Sequence, residues 1–410
     1  MDIVTSLISS IISFIVGYYI KALIQLYKNY RYEKKNKTLL ESFSKQDFSL
    51  LSNGHVLLAH GLPTYKTNDI ECGISDYNFY YPIPAKYKKE LSSYGFFQNN
   101  TDDFHYQEKD NCLHKSFWGK SVFNRAFSTI LGNTWDDSKA EISEIADSVA
   151  EQFVTDLRKG QVRFNGALFG VSSFNPNRAI GNEHPIVTMN FYMTDYFSFH
   201  VFSQFYQKHP LKEKKFPNDI INRLSYPFLS SFGVAVIAVI STNSITSKLQ
   251  DSDIIIIGKR SYNVIVHQGL LHFTMNEAFS LRDTDHNKPS LGLCAFRGFN
   301  EELKWSEEVP GMESNNIKFM DFGFNSEDCE MGVSGYVKLS TIEGKTLVET
   351  TEYLNKLYKE SQDGILETEG LDFVPIKDAR SFMKTNIDRM SAGFAIALEN
   401  FLRRYELSLI

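Results

Sequence analysis

The chain has 410 residues, 42% of them hydrophobic and 22% charged, a globular balance that excludes disorder over most of its length. Its net charge of −6 leaves no basic excess to displace phosphate counterions, so no nucleic acid polymer is expected as a partner. Cys72, Cys112, Cys294 and Cys329 stand far apart with no C-x-x-C pair, which points to neither a zinc knuckle nor a disulfide framework.

The first stretch, Ile3 to Ile20, has no charged residue, and at 1.5 Å rise per residue it nearly crosses a bilayer core. Ala22, Leu23, Ile24 and Leu26 extend it, so residues 1–27 are predicted to be a transmembrane anchor that contacts the membrane through 3–26. Lys28, Arg31, Lys34, Lys35 and Lys37 all come after the span, and that excess predicts a single-pass protein with its C-terminal region cytoplasmic. Residues 28–50 are predicted to form a charged juxtamembrane helix.

Residues 51–229 are predicted to form an α/β region of no assigned type, packed on a C-terminal domain of residues 230–410. Within it, 52–115 is rich in Gly, Pro, Asn and aromatics, which predicts irregular structure and short strands. Its His60, His105 and His114 lack metal-ligand spacing. Apolar residues recur at helical spacing over 138–158, and the alternating VRFNGALFGVSSF predicts a strand that breaks at Asn175 and Pro176.

GVAVIAVIST and DIIIIGKRS are β-branched runs, as strands covered on both faces require. HFTMNEAFS and a polar loop come next, then CAFRGFNEELKW, in which Arg297 and Glu301 are four apart and share a helical face. Leu293, Phe296, Phe299 and Leu303 supply an apolar stripe, so 291–304 is predicted helical, with an acidic edge at Glu301 and Glu302. KFMDFGFN and VSGYVKLST complete a sheet, 364–383 reads as strand, turn and helix, and 391–405 is an amphipathic closing helix. No P-loop and no G-x-S-x-G elbow occurs.

RGFNEELKW resembles the second half of the Nudix hydrolase signature, R-E-U-x-E-E-x-G-U with U aliphatic, and the likeness extends more loosely over 230–410. It implies an α/β (α+β) fold, a Nudix-like mixed sheet flanked by helices, behind the N-terminal transmembrane helix. It also implies that Arg297 orients the glutamates while Glu301 and Glu302 hold Mg²⁺, or Mn²⁺ in its stead, on a substrate diphosphate. The signature's first half is lost: Asp283 and Pro289 stand where its glycine and glutamate belong, Gly298 replaces the glutamate after the arginine and Lys304 the later glycine. Glu277 is the candidate for the missing metal ligand, with Asp283 and Asp285 as further substitutes.

Three candidate functions follow, the first two of them implied by the resemblance. The preferred one is a sensor that binds a nucleotide or cyclic nucleotide without turnover and signals by assembling its membrane helices as a homo-oligomer, in a layout similar to effectors of bacterial anti-phage defence. The second is a Mg²⁺-dependent hydrolase of a nucleoside diphosphate linkage. The third is a structural or interaction protein whose glutamates only satisfy Arg297.

Overall fold

The computed structural model describes residues 17, 19, 20, 23, 55–59, 64–97, 135–161, 165–177, 186–209 and 229–410, except 244, 246, 263, 265, 266, 287, 306–308 and 326–329. It is a mixed α/β structure. In chain order the first strands are β1 (His55–Ala59), β2 (Tyr65–Lys66) and β3 (Ile70–Asn78), followed by helices α1 (Ala85–Ser93) and α2 (Trp135–Arg158). Strands β4 (Ala167–Asn177) and β5 (Ile186–Asp195) and helix α3 (Tyr196–Lys208) complete the N-terminal portion. Then come β6 (Phe232–Ser241), β7 (Ile254–Arg260), β8 (Leu271–His272), β9 (Met275–Ala278), β10 (Thr284–Asp285), β11 (Lys288–Pro289) and helix α4 (Leu291–Leu303). Strands β12 (Lys318–Asn325) and β13 (Glu330–Ser340), helices α5 (Leu347–Leu357) and α6 (Gln362–Glu367), β14 (Thr368–Pro375), and helices α7 (Ile376–Asn386) and α8 (Ala392–Glu406) end the chain.

Nine strands make the main sheet, ordered β1-β12-β13-β6-β7-β14, with β2 on β12, β8 on β7 and β9 on β6. β6 runs parallel to β13 and antiparallel to β7, which makes the sheet mixed. The uninterrupted apolar run of β6 has a direct cause: Val234, Val236, Ala238 and Ile240 enter one core with Phe299 and Leu303 of α4, while Ala235, Ile237 and Val239 enter the other with Phe394 and Phe401 of α8. Alternate residues of one strand thus serve two layers of helices. On the α8 side, Arg404 and Asp321 are both buried and form a two-bonded pair of 2.9 and 3.2 Å, which pins the closing helix to β12 with each charge compensated.

The main sheet is not confined to residues beyond 230. β1 and β2 pair antiparallel with β12, so a segment from the first sixty-six residues covers an edge that would otherwise expose unpaired backbone groups. A separate three-stranded sheet, β3-β5-β4, carries α2 and α3, and its Phe169 and Phe191 share one apolar core with Phe232 and Phe279. Phe169 N–H donates to Phe279 O at 2.9 Å, which ties β4 to the segment just after β9.

Two local expectations change. The stretch expected to be irregular contains α1, whose Leu91 is buried, and β4 continues through Asn175 and Pro176 to Asn177 because its register with β5 persists, after a shift near Ser173. The anchor expected over 3–26 lies outside the described residues apart from Gly17, Tyr19, Ile20 and Leu23, which are helical and exposed. The juxtamembrane helix of 28–50 and the histidines at 105 and 114 lie wholly outside them. Among the described residues no helix is long and apolar enough to cross a membrane.

Candidate functional site

Helix α4 begins at Ser290, whose hydroxyl accepts from Leu293 N–H, and ends at Lys304 in the left-handed region at φ 59°. That final conformation is the one glycine adopts without strain. The buried face of α4 is Leu291, Gly292, Cys294, Ala295, Gly298, Phe299, Glu302 and Leu303. Leu293 and Phe296, expected in the apolar stripe, are only half-buried, so the face is rotated toward the small residues. Gly298 shows why: a Cβ there would come within 2.5 Å of Met275 Sδ and 2.9 Å of Glu277 Cβ. Without that side chain the helix lies directly on β9, and Glu302 turns inward.

Close approach brings Glu301 of α4 and Glu277 of β9 onto one arginine. Arg297, with 15% of its side chain exposed, donates Nε–H to Asp283 Oδ1 at 2.7 Å and Nη2–H to Asp283 Oδ2 at 3.0 Å. Nη1 donates to Glu301 Oε2 at 2.9 Å and lies 3.3 Å from Glu277 Oε1, and Nη2 also reaches Ala278 O at 2.9 Å. Burial alone would lower the Arg297 pKa, but its hydrogen bonds to Asp283 and the charges of Glu277 and Asp283 raise it, so the guanidinium is always charged. The opposite oxygen of Glu301 accepts from Arg282 Nη2 at 2.6 Å. Asp283 is itself fixed by Ser280 N–H at 2.9 Å, at the end of the 3-10 turn Leu281–Asp283.

Glu302 sits deeper. Its Oε1 accepts from Asn276 N–H at 3.3 Å, and burial, reinforced by the nearby Glu367 and Glu277 carboxylates, pushes its pKa well up despite Arg260. Arg260 is engaged by Glu367 at 2.8 Å. The C-terminal carbonyls of α4 are closed from above by α6: Ser361 Oγ donates to Glu301 O, and Gly364 packs so tightly on Glu302 O that no side chain would fit there.

Of the glutamates named from the sequence, Glu301 meets Arg297 and Glu277 joins it from β9, while Glu302 lies deeper, on Asn276 N–H. Asp283 is the principal partner of Arg297, and only its place in a polar loop hinted at it. Asp285, in the exposed β10–β11 hairpin, faces His286 at 3.6 Å and stands apart from the cluster.

The sequence matches no protein-family model and no curated protein. Solved structures similar to part of it include DR0079 from Deinococcus radiodurans, 10% identical over 41% of this chain and 81% of that one, with a TM-score of 0.26. A NUDIX hydrolase from Alicyclobacillus acidocaldarius is 9% identical over 42% and 91%, with a TM-score of 0.28, and a mutT/nudix family protein from Listeria innocua 11% over 44% and 93%, with a TM-score of 0.23. At these identities and TM-scores the likeness says nothing about individual residues or chemistry.

Mg²⁺ prefers near-octahedral oxygen coordination at roughly 2.0–2.1 Å, often from one or two carboxylates with waters. Here both oxygens of Glu301 are held by different guanidinium groups, the nearer Glu277 oxygen faces Arg297, and Glu302 is buried against a backbone N–H. Among the described residues no group of three His, Cys, Asp or Glu side chains is arranged to hold a metal ion. As they stand, Glu277, Glu301 and Glu302 do not fit the metal-ligating role that the resemblance implied for them.

Glu277 gives the site a pH dependence. Burial, with Glu301 and Glu367 adding to it and Arg297 opposing, pushes its pKa from the ordinary 4.5 up to about 7. Between those values the folded protein holds more protons than the unfolded chain, so the contribution of Glu277 to stability is full below about 4.5 and lost as the pH rises through about 7. Glu277→Gln is expected to match the wild type at pH 5 and to exceed it at pH 8 by about 2–3 kcal/mol in urea unfolding. Equal differences at both pH values would remove Glu277 as the titrating group.

Proposed function

We propose that the chain binds a nucleotide-type ligand at the edge formed by Glu277, Glu301 and Arg282, without appreciable turnover, and that residues 3–26 tether it to a membrane with the C-terminal region on the cytoplasmic side. Ligand binding is read out through the membrane helix and its self-association, the layout of a defence effector. The observation that carries the sensing reading is the engagement of the carboxylates: Arg297 and Arg282 take both Glu301 oxygens at 2.9 and 2.6 Å, which leaves the hydrolytic apparatus incomplete on an otherwise ordered helix. The nucleotide class rests on the R-x-x-x-E-E segment of α4, and the tether on the uncharged stretch from Ile3 to Ile20 and the basic residues after it.

A hydrolytic reading has one observation in its favour. Glu277, pushed up to about 7, has the proton affinity that suits a general base near neutral pH.

Incubating the protein with dinucleotides, nucleoside diphosphate derivatives and cyclic nucleotides, with Mg²⁺, with Mn²⁺ or with EDTA, separates these readings by thermal shift and product analysis. A thermal shift without products is the expected result. Metal-dependent turnover that disappears in Glu301→Gln/Glu302→Gln would establish the hydrolase instead. No shift and no product with any compound would leave the carboxylates as partners of Arg297 alone.

A further inference from the structure

Glu301 lies between two cations of unequal freedom. Arg297, with 15% of its side chain exposed, is held by Asp283 through two hydrogen bonds, by Glu301 and by Ala278 O. Arg282 has 52% of its side chain exposed, and Glu301 is its charged partner, at 2.6 Å. Each Glu301 oxygen already accepts from a guanidinium, so a divalent ion on a remaining lone pair, or in place of Arg282, would sit beside the fixed positive charge of Arg297. The repulsion between that ion and Arg297, which has only 15% of its side chain exposed, works against binding. Two arginines already face Asp283, Glu301 and Glu277, so most of the negative charge of the cluster is compensated.

We infer that the two arginines take the place of a cation in this cluster: no divalent metal binds through Glu301, and Arg282 is the positive group offered to an anionic ligand. Turning Arg282 outward breaks one half-exposed ion pair and leaves the Asp283–Arg297–Glu277 network intact. Its planar fork suits a phosphoryl or carboxylate group, which would exchange one anionic partner for another. The Arg282 half of the inference rests on the ligand-binding reading above, whereas the metal half stands on the geometry alone.

Two measurements on the full chain test it. Mn²⁺ binding is followed by calorimetry and by the spin signal of free Mn²⁺, for the wild type and for Glu301→Gln. The inference expects the same isotherm for both, and a Mn²⁺ site present in the wild type and lost in Glu301→Gln overturns it while leaving ligand binding untouched. Inorganic pyrophosphate is then titrated by thermal shift in EDTA and in Mg²⁺. The expected result is a shift of equal midpoint in both, with affinity reduced at least tenfold in Arg282→Gln and only partly recovered in Arg282→Lys, which keeps the charge without the fork. A shift that needs Mg²⁺, or one unchanged in Arg282→Gln, overturns the assignment of Arg282. No pyrophosphate shift in any buffer overturns it as well, and the nucleotide panel then decides whether the binding reading falls with it. Circular dichroism of each variant verifies that the fold is intact.

Discussion

Replacing Arg297 with alanine is expected to lower the unfolding free energy by about 3–5 kcal/mol, the usual cost of removing one partner from a buried charge network. The loss comes from the carboxylates left behind. Asp283, 1% exposed, would lose both of its hydrogen bonds from the guanidinium, and Glu277 and Glu301 would face it with no cation between them. Arg297→Lys keeps the charge but cannot span Asp283 with two donors while reaching Glu301 and Ala278 O, so it should recover only part of the loss. Asp283→Asn in the Arg297→Ala background should recover some stability by removing one stranded charge, a coupling that a double-mutant cycle in urea reads directly. If Arg297→Ala changes stability by less than about 1 kcal/mol, the network is solvated and contributes little.

Phe299→Ala is expected to cost about 3–5 kcal/mol, the range for emptying a buried aromatic site. Phe299 is fully buried under α4 and stacks on Trp305, itself fully buried, with ring centroids 5.9 Å apart and planes within 16°. Truncation would open a cavity between α4 and the sheet and remove the surface that holds Trp305. Since Phe299 is two residues from Glu301, helix repacking should also disturb the acidic edge, so Phe299→Leu serves as the milder comparison. A loss within about half a kcal/mol would place Phe299 at the surface and contradict the register of the helix.

The sequence made some of this readable for physical reasons. β6 and β7 are β-branched runs because both of their faces are covered. The Arg297–Glu301 pair comes from helical geometry alone and is formed at 2.9 Å. The inward turn of Glu302 was not readable, because an apolar stripe drawn through Leu293, Phe296, Phe299 and Leu303 weights large side chains, whereas Gly298, Ala295 and Cys294 decide which face meets β9. Asp283 is readable only as a substitute ligand, and its pairing with Arg297 is not, because that depends on a turn that folds a polar loop back onto α4, and no periodicity marks such a contact. Pairing of β1 and β2 with β12 was equally invisible, since edge pairing joins segments whose distance along the chain carries no signal.

That edge pairing also sets a timetable for the nascent chain. Ala59 pairs with Phe322, about 260 residues later, so β1 leaves the ribosome long before its partner exists. At the usual pace of synthesis the interval is roughly 13–50 s, during which an unpaired strand segment must avoid other partners. β6 and β7, by contrast, are near neighbours in the chain and can pair early. The centre of the sheet is therefore available to form first and β1 to join late, so ribosome-bound chains stopped before Lys318 should leave 55–59 open to proteolysis and those carrying β12 and β13 beyond the exit tunnel should protect it.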